Sequence, residues 1–343
     1  MRPAPKKIAV LGAGSWGTTF AKVMADAGAP HGTGIQLWAR RAEVATEINT
    51  RHTNTRYLRD TLLPGNITAS ADLAQVLGGA QIVVLAVPAQ SLREQLRACR
   101  ELIPADAVLV SLMKGLERGT DMRMSEVIAQ ELGADPASIA VLSGPNLAME
   151  IARCQPTASV VACSDEDTAA WIAQACSASY FRPYTNCDVI GVELGGIVKN
   201  IIALAVGICD GMGMGDNTKS SVITRGLAET TRLALALGGK LETLSGLAGL
   251  GDLVATCSSS LSRNNTAGRL LGQGLTLHEV NERMTQTAEG IKSARAVLDL
   301  AQARGVEVPI AEAVVMVLEG ALSVENMAAR LLGRELKSEG ETK

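Results

Sequence analysis

Aromatic residues make up only 2% of this 343-residue chain, and histidine occurs three times, at positions 31, 52 and 278. Few rings, together with a formal net charge of −3, argue against a nucleic-acid surface, which needs a basic face and aromatic platforms. Three scattered histidines argue against a histidine-built triad or metal cluster. The seven cysteines form an odd set with no CxxC pair, which fits reduced, mostly buried thiols rather than a disulfide framework or a zinc site, so no metal is expected. There is also no unbroken apolar run of membrane-spanning length: the most apolar stretch, Gly191 to Cys209, is interrupted by Glu193, Lys199 and Asn200. Met1 to Lys7 lacks the hydrophobic stretch and cleavage site of a secretory signal. The expectation is a soluble, cytoplasmic protein.

What is present reads as two domains, since roughly 150 residues per domain is the usual scale. Apolar runs at Ile8–Leu11, Ile35–Trp38, Ile82–Val87, Val108–Leu112, Ile139–Leu142 and Ala158–Ala162 alternate with helical patterns such as Ser91–Leu102 and Met122–Leu132. That alternation implies a parallel sheet with helices on both faces. From about Gly191 the strand pattern fades, and Val192–Ile208, Ser220–Leu237, Leu277–Met284, Gly290–Arg304 and Val324–Leu332 read as helices. The fold class is therefore α/β: an N-terminal Rossmann doubly wound sheet followed by an all-helical C-terminal domain. The expected divisions are 1–190 for dinucleotide binding, 191–335 for substrate and catalysis, and a polar tail over 336–343.

The first strand-like run ends in GAGSWG, a GxGxxG pattern that opens a helix. Gly12 permits the tight turn, Gly14 lets backbone approach a pyrophosphate, and Gly17 lets the helix pack closely; the helix N-terminus then offers free N–H groups to the anion. An ordinary glycine turn is the alternative. At the end of the second strand, where NAD-selective sites usually carry an acid, the chain reads Trp38, Ala39, Arg40, Arg41. Paired guanidinium groups suit a 2′-phosphate, so NADP(H) is the preferred cofactor, with NAD(H) possible; the plain reading is that they begin a solvated helix.

Lys199 is the one charge between Glu193 and Asp210 in an otherwise apolar helix. Desolvation would pull its pKa down from about 10.4 toward the range of about 7 to 8 that suits an acid–base catalyst. Gly195 and Gly196, one turn earlier, leave room for a ligand beside it. A snorkelling lysine whose stem covers apolar surface fits equally well. In GLAGLGD, over 246–252, three glycines flank Asp252, which either orients an ammonium or merely caps a helix. Ser262, Arg263 and Asn264 precede a helix and suit a phosphate, although Ser and Asn are also common caps. Lys114 with Gly115, and Gly144 with Pro145 and Asn146, follow strands at the carboxyl edge, where doubly wound sheets bind ligands; each is equally readable as a turn.

Taken together, IAVLGAGSWGTTFA at the start, MKGLE at 113–117, LSGPNLAMEI at 142–151, the long segment 191–226, GLAGLGDLVATC at 246–257 and SRN at 262–264 resemble the NAD(P)-dependent glycerol-3-phosphate dehydrogenase family of bacterial type. The resemblance implies interconversion of sn-glycerol 3-phosphate and dihydroxyacetone phosphate, supplying phospholipid synthesis, with Lys199 as proton donor and acceptor. It places Lys114, Gly144, Asn146, Asp252, Ser262, Arg263 and Asn264 at the substrate. It places Ser15, Trp16, Arg40, Lys114, Ala148, Arg263 and Glu289 at the cofactor, with Thr287 carrying less weight. Asn146 stands where many relatives have a hydroxyl residue, and Lys219 falls near the site as a lesser candidate. A homodimer is the family's expected assembly. Two other readings stay open at this point, a 6-phosphogluconate-type dehydrogenase and a non-catalytic NADP(H)-binding sensor.

Overall fold

The computed structural model describes residues 2–284 and 288–332, so Thr287 and the tail over 336–343 lie outside the described residues. The chain divides into two compact units, Met1–Lys114 with Met122–Val189, and Gly115–Asp121 with Ile190–Lys343.

The first unit is built on an eight-stranded sheet: β1 (Lys7–Leu11), β2 (Gly34–Trp38), β3 (Ile67–Ser70), β4 (Ile82–Leu85), β5 (Val108–Ser111), β6 (Ile139–Ser143), β7 (Thr157–Ala162) and β8 (Phe181–Asn186), in the order 3-2-1-4-5-6-7-8. The first six have the doubly wound order, whose direction reverses beside β1. Side chains of one strand alternate between two cores: Ile8 and Val10 join one, Ala9 and Leu11 the other. Each face of the sheet is thus covered, which is why its central strands read as continuous apolar runs.

The structure corrects the expectation of a wholly parallel sheet. β7 runs antiparallel to β6, because the chain returns from β6 through a five-residue helix, Ala148–Ala152, and not through a full crossover. β8 then pairs parallel with β7 through the helix Glu166–Ala175. The two strands that sequence periodicity missed, β3 and β8, are the edges of the sheet. β3 has four residues, and β8 (FRPYTN) is polar and holds Pro183, which a sheet tolerates at an edge.

In the second unit all regular elements among the described residues are helical. Its spine is the 23-residue helix Val189–Gly211, buried from Gly191 to Cys209. This helix is long and apolar enough to cross a membrane, but 89% of its most apolar window is buried inside the protein. Neighbouring helices approach it to backbone contact. A methyl group on Gly207 would lie 2.2 Å from the Asn265 carbonyl oxygen, and one on Gly211 the same distance from that of Arg269. Reciprocally, Gly268 and Gly272 on the helix Arg263–Gly272 face the carbonyls of Leu204 and Ile208 at 2.1 and 2.3 Å. Elsewhere the buried Glu229 carboxylate accepts from Ile310 and Ala311 N–H at 2.8 and 3.3 Å and so caps the helix Pro309–Leu318.

Because no side chain can give way at these crossings, Gly268→Ala should force the two helices apart. The expected cost is about 1–3 kcal/mol of stability, read as a lowered thermal midpoint; an unchanged midpoint would contradict the packing.

Candidate functional site

In the first unit, β1 delivers the chain into Gly12, whose φ is +123° and whose added methyl would sit 2.4 Å from the Ala86 carbonyl oxygen. Both facts demand glycine. A methyl on Gly17 would lie 2.0 Å from the Gly12 oxygen, whereas beside Gly14 nothing lies within 4 Å. The turn is therefore packed shut on the sheet side and open at Gly14. The helix Ser15–Gly28 starts there with no side-chain cap and no acid in its first turn, leaving its first N–H groups for an anion. Asn54, fully buried, clamps the turn by donating to the Ala13 carbonyl at 3.1 Å and to the Thr18 hydroxyl at 2.9 Å. The Trp16 indole N–H is buried without a partner. An orphaned buried donor at an open anion-binding turn fits a bound dinucleotide.

Arg40 and Arg41 follow β2, and they differ. Arg40 is exposed; half-buried Arg41 donates to the Tyr57 hydroxyl at 2.9 Å and pairs with Glu43 at 3.7 Å. Tyr57 also accepts, through its carbonyl, from Ser15 Oγ at 3.3 Å, so it ties the second-strand arginine to the glycine turn. Beyond β5, Lys114 donates from Nζ to the Gly144 carbonyl at 3.0 Å, which brings together two of the singled-out segments. Gly144 has φ +129°, and Asn146 has both polar atoms of its amide buried and unpartnered. Ala148 opens the next helix and accepts from the Thr19 hydroxyl at 3.3 Å.

In the second unit the Lys199 ammonium donates to the Asp252 carboxylate and, at 2.7 Å, to the Thr256 hydroxyl. Lys199 is 7% exposed and Asp252 1%, which rules out the snorkelling reading. The buried ammonium is thus met by a buried carboxylate. Gly195 does not leave room for a ligand: its missing methyl would meet the Ala248 carbonyl oxygen at 2.5 Å. Of the glycines of GLAGLGD, Gly249 likewise serves packing. Gly249 faces the Leu244 backbone, and the segment Leu247–Gly251 winds as a π-helical turn that presents Asp252 at the start of the helix Asp252–Ser258. Cys257, next in the chain to Thr256, is pushed up to about 12 by burial and stays a neutral thiol.

Ser262 is a helix cap, accepting from Asn265 N–H at 3.2 Å. Arg263 is exposed at the first position of that helix. The Asn264 amide donates to Asn200 at 2.9 Å and accepts from Gly290 N–H at 2.9 Å, and Asn200 in turn donates to the Gly196 carbonyl. The Asn264 side chain thus pins three helices. Glu289, beside Gly290, has its carboxyl raised by burial, against the pull of Arg263 and Lys292. Lys219 is committed to Asp216 at 2.9 Å and Asp210 at 3.3 Å. Among the described residues no group of three or more metal-ligating side chains is found. All seven cysteines are unbridged, and five are buried.

Sequence reasoning missed Thr256, Asn200, Asn54 and Tyr57. Thr256 had a signal, since it lies one helical turn after Asp252 and shares its face; Asn200, beside Lys199 on the apolar spine, also had one. Nothing in the sequence marks Tyr57.

The model described as the NAD-dependent glycerol-3-phosphate dehydrogenase N-terminus matches residues 7–169, and that of the C-terminus residues 188–329. The chain is 56% identical to glycerol-3-phosphate dehydrogenase [NAD(P)+] of Thermobifida fusca, covering 97% of this chain and 98% of that one. Crystallographic glycerol-3-phosphate dehydrogenase from Coxiella burnetii is similar at TM-score 0.90 and 39% identity, covering 97% of this chain and 100% of the other. The yeast glycerol-3-phosphate dehydrogenase structure is similar at TM-score 0.82 and 28% identity, covering 95% and 99%.

The turn at residues 12–17 gives a direct test. Gly12→Ala should abolish dinucleotide binding, measured by quenching of tryptophan fluorescence; retained binding would show that this turn does not hold the cofactor.

Proposed function

The chain belongs to the NAD-dependent glycerol-3-phosphate dehydrogenase family and is an oxidoreductase of that kind, and we propose that Lys199 is the group that moves the proton as sn-glycerol 3-phosphate and dihydroxyacetone phosphate interconvert. The observation that carries this reading is a buried ammonium bonded to a carboxylate and a hydroxyl one turn apart on the same helix. When bound, the nicotinamide cofactor supplies the hydride chemistry. In the reducing direction Lys199 protonates the alkoxide that develops at C2, and in the oxidising direction it takes that proton back. Asp252 holds the ammonium and offsets its charge, and Thr256 fixes its aim, so the donor is oriented before the substrate arrives.

The exposed Arg263 guanidinium and the N–H groups that open its helix, at Ser262 to Asn264, are suited to the substrate phosphate. Lys114, Gly144 and Asn146 are assigned to the substrate as well, the unpartnered Asn146 amide being available to a hydroxyl. For the cofactor, Gly12, Gly14, Ser15, Trp16 and Gly17 take the pyrophosphate side. Arg40 takes the 2′-phosphate, with Arg41 held beside it by Tyr57, giving a preference for NADP(H); Lys114, Ala148, Arg263 and Glu289 complete the set. We place the enzyme in the cytoplasm as a homodimer that supplies glycerol 3-phosphate to phospholipid synthesis, on the support of the family alone.

The deciding assay is NADPH oxidation with dihydroxyacetone phosphate, run beside NADH. Lys199→Met should lower kcat by about 10² to 10⁴ while dinucleotide binding is kept; turnover near that of the parent would remove Lys199 from its role. Arg40→Ala should lower kcat/KM for NADPH by about ten- to a hundredfold, the value of a charge-assisted bond, and leave that for NADH nearly unchanged. An equal loss with both coenzymes would show that Arg40 does not read the 2′-phosphate.

A further inference from the structure

The amide of Asn54 is fully buried against the glycine turn, and its orientation is forced. Nδ2 donates to the Ala13 carbonyl at 3.1 Å and to the Thr18 hydroxyl at 2.9 Å; because a carbonyl can only accept, the NH2 end must face the turn. Oδ1 is left buried with no partner. A buried oxygen without a donor works against folding, so the side chain is not placed for stability alone. Asn54 is itself held on both sides. Its carbonyl accepts from Tyr57 and Leu58 N–H at 3.0 and 2.8 Å, opening the short helix Thr55–Leu58. The Glu47 carboxylate accepts from Thr53 Oγ1 and Thr55 N–H, each at 2.8 Å.

The bond to Ala13 decides what the turn presents. A trans peptide unit is planar, with C=O and N–H pointing in opposite directions, so fixing the Ala13 carbonyl toward Asn54 turns the Gly14 N–H the opposite way. Nothing stands within 4 Å of where a side chain on Gly14 would begin, and its N–H meets no acceptor among the described residues. The second bond, to Thr18 in the first turn of the helix Ser15–Gly28, fixes that carbonyl relative to the helix whose free N–H groups open beside it. The same segment reaches Ser15, whose hydroxyl donates to the Tyr57 carbonyl.

We propose that Asn54 is a positioning residue for coenzyme binding: fully enclosed, it touches no ligand, and by holding the Ala13 carbonyl it aims the Gly14 N–H at the coenzyme diphosphate. This rests on the turn at residues 12–17 holding the dinucleotide, as proposed above. Since NADP(H) and NAD(H) carry the same diphosphate, Asn54 serves both alike, unlike Arg40, and the proton transfer at Lys199 does not depend on it.

Asn54→Leu keeps the volume and removes the donor. In calorimetric titrations of the full-length protein, its Kd for NADPH and for NADH should rise by the same factor, about tenfold, the value of one hydrogen bond, while kcat at saturating coenzyme stays within about twofold of the parent. Thr18→Val removes the other partner of the amide and spares the Ala13 bond; it should lower the thermal midpoint and leave both Kd values near those of the parent. Unchanged Kd values in Asn54→Leu, a loss confined to one coenzyme, or an equal loss in Thr18→Val overturns the proposal. If Asn54→Leu does not fold, amide exchange of the parent protein decides: the Gly14 N–H should exchange about tenfold more slowly once ADP-ribose is bound, and no slowing refutes its aim. Should Gly12→Ala also keep its affinity, the fault lies with the turn as a cofactor site; should Gly12→Ala lose it while Asn54→Leu does not, only the role of Asn54 falls.

Discussion

A buried ammonium must be met by an opposite charge, and that requirement organises the second unit. Leaving Lys199 unpaired inside a helix buried from Gly191 to Cys209 would cost several kcal/mol in desolvation. Asp252 answers it, but a carboxylate on a separate segment reaches the lysine only if the two backbones come very close. Gly195 permits this by letting the Ala248 carbonyl approach where a side chain would stand, and the π-helical turn Leu247–Gly251 then aims Asp252 inward. The pairing of Lys199 with Asp252 is therefore a backbone achievement before it is a side-chain one. The same device recurs further along the spine, where Gly207 and Gly211 mesh with Gly268 and Gly272 and fix the helix that begins with Ser262, Arg263 and Asn264. Lys199 and the Ser262–Asn264 turn are thereby held to one rod.

The two arginines after β2 show how neighbouring side chains of one kind acquire different work. Arg41 is occupied by Tyr57, which also receives Ser15 and so braces the glycine turn. Arg40 keeps its guanidinium exposed. A held arginine fixes the position of the loop, and an exposed one remains able to meet a phosphate as a bidentate partner.

Much of this was legible beforehand, for reasons that can be named. The glycine turn was readable because a positive φ and backbone contact admit one residue type, so chemistry is written directly into composition. The central strands were readable because burial on both faces gives unbroken apolar runs. The edges β3 and β8 were not, since half of an edge strand faces water and its sequence loses the pattern. Within the site, Lys199 stood out as a charge among aliphatics, but the purpose of Gly195 was misread. A small residue before a lysine looks the same whether it makes room for a ligand or for another backbone, and only the neighbour, Ala248, decides. The Asn264 amide joins Asn200 to Gly290 across three helices, and such long-range pairings have no local signature.

The excursion of Gly115–Asp121 out of the β5–β6 connection carries a practical corollary. Leu116, on that strip, is wholly enclosed within the helical core, and Arg118 donates to the Lys292 carbonyl at 3.2 Å. The boundary between the halves is thus not a point on the chain. A truncated version ending near residue 189 would keep the strip but not its lodging, exposing an apolar side chain, and the complementary piece would have a notch where Leu116 belonged. Expression of either half alone calls for excising and grafting this heptapeptide, and not for choosing a single terminus.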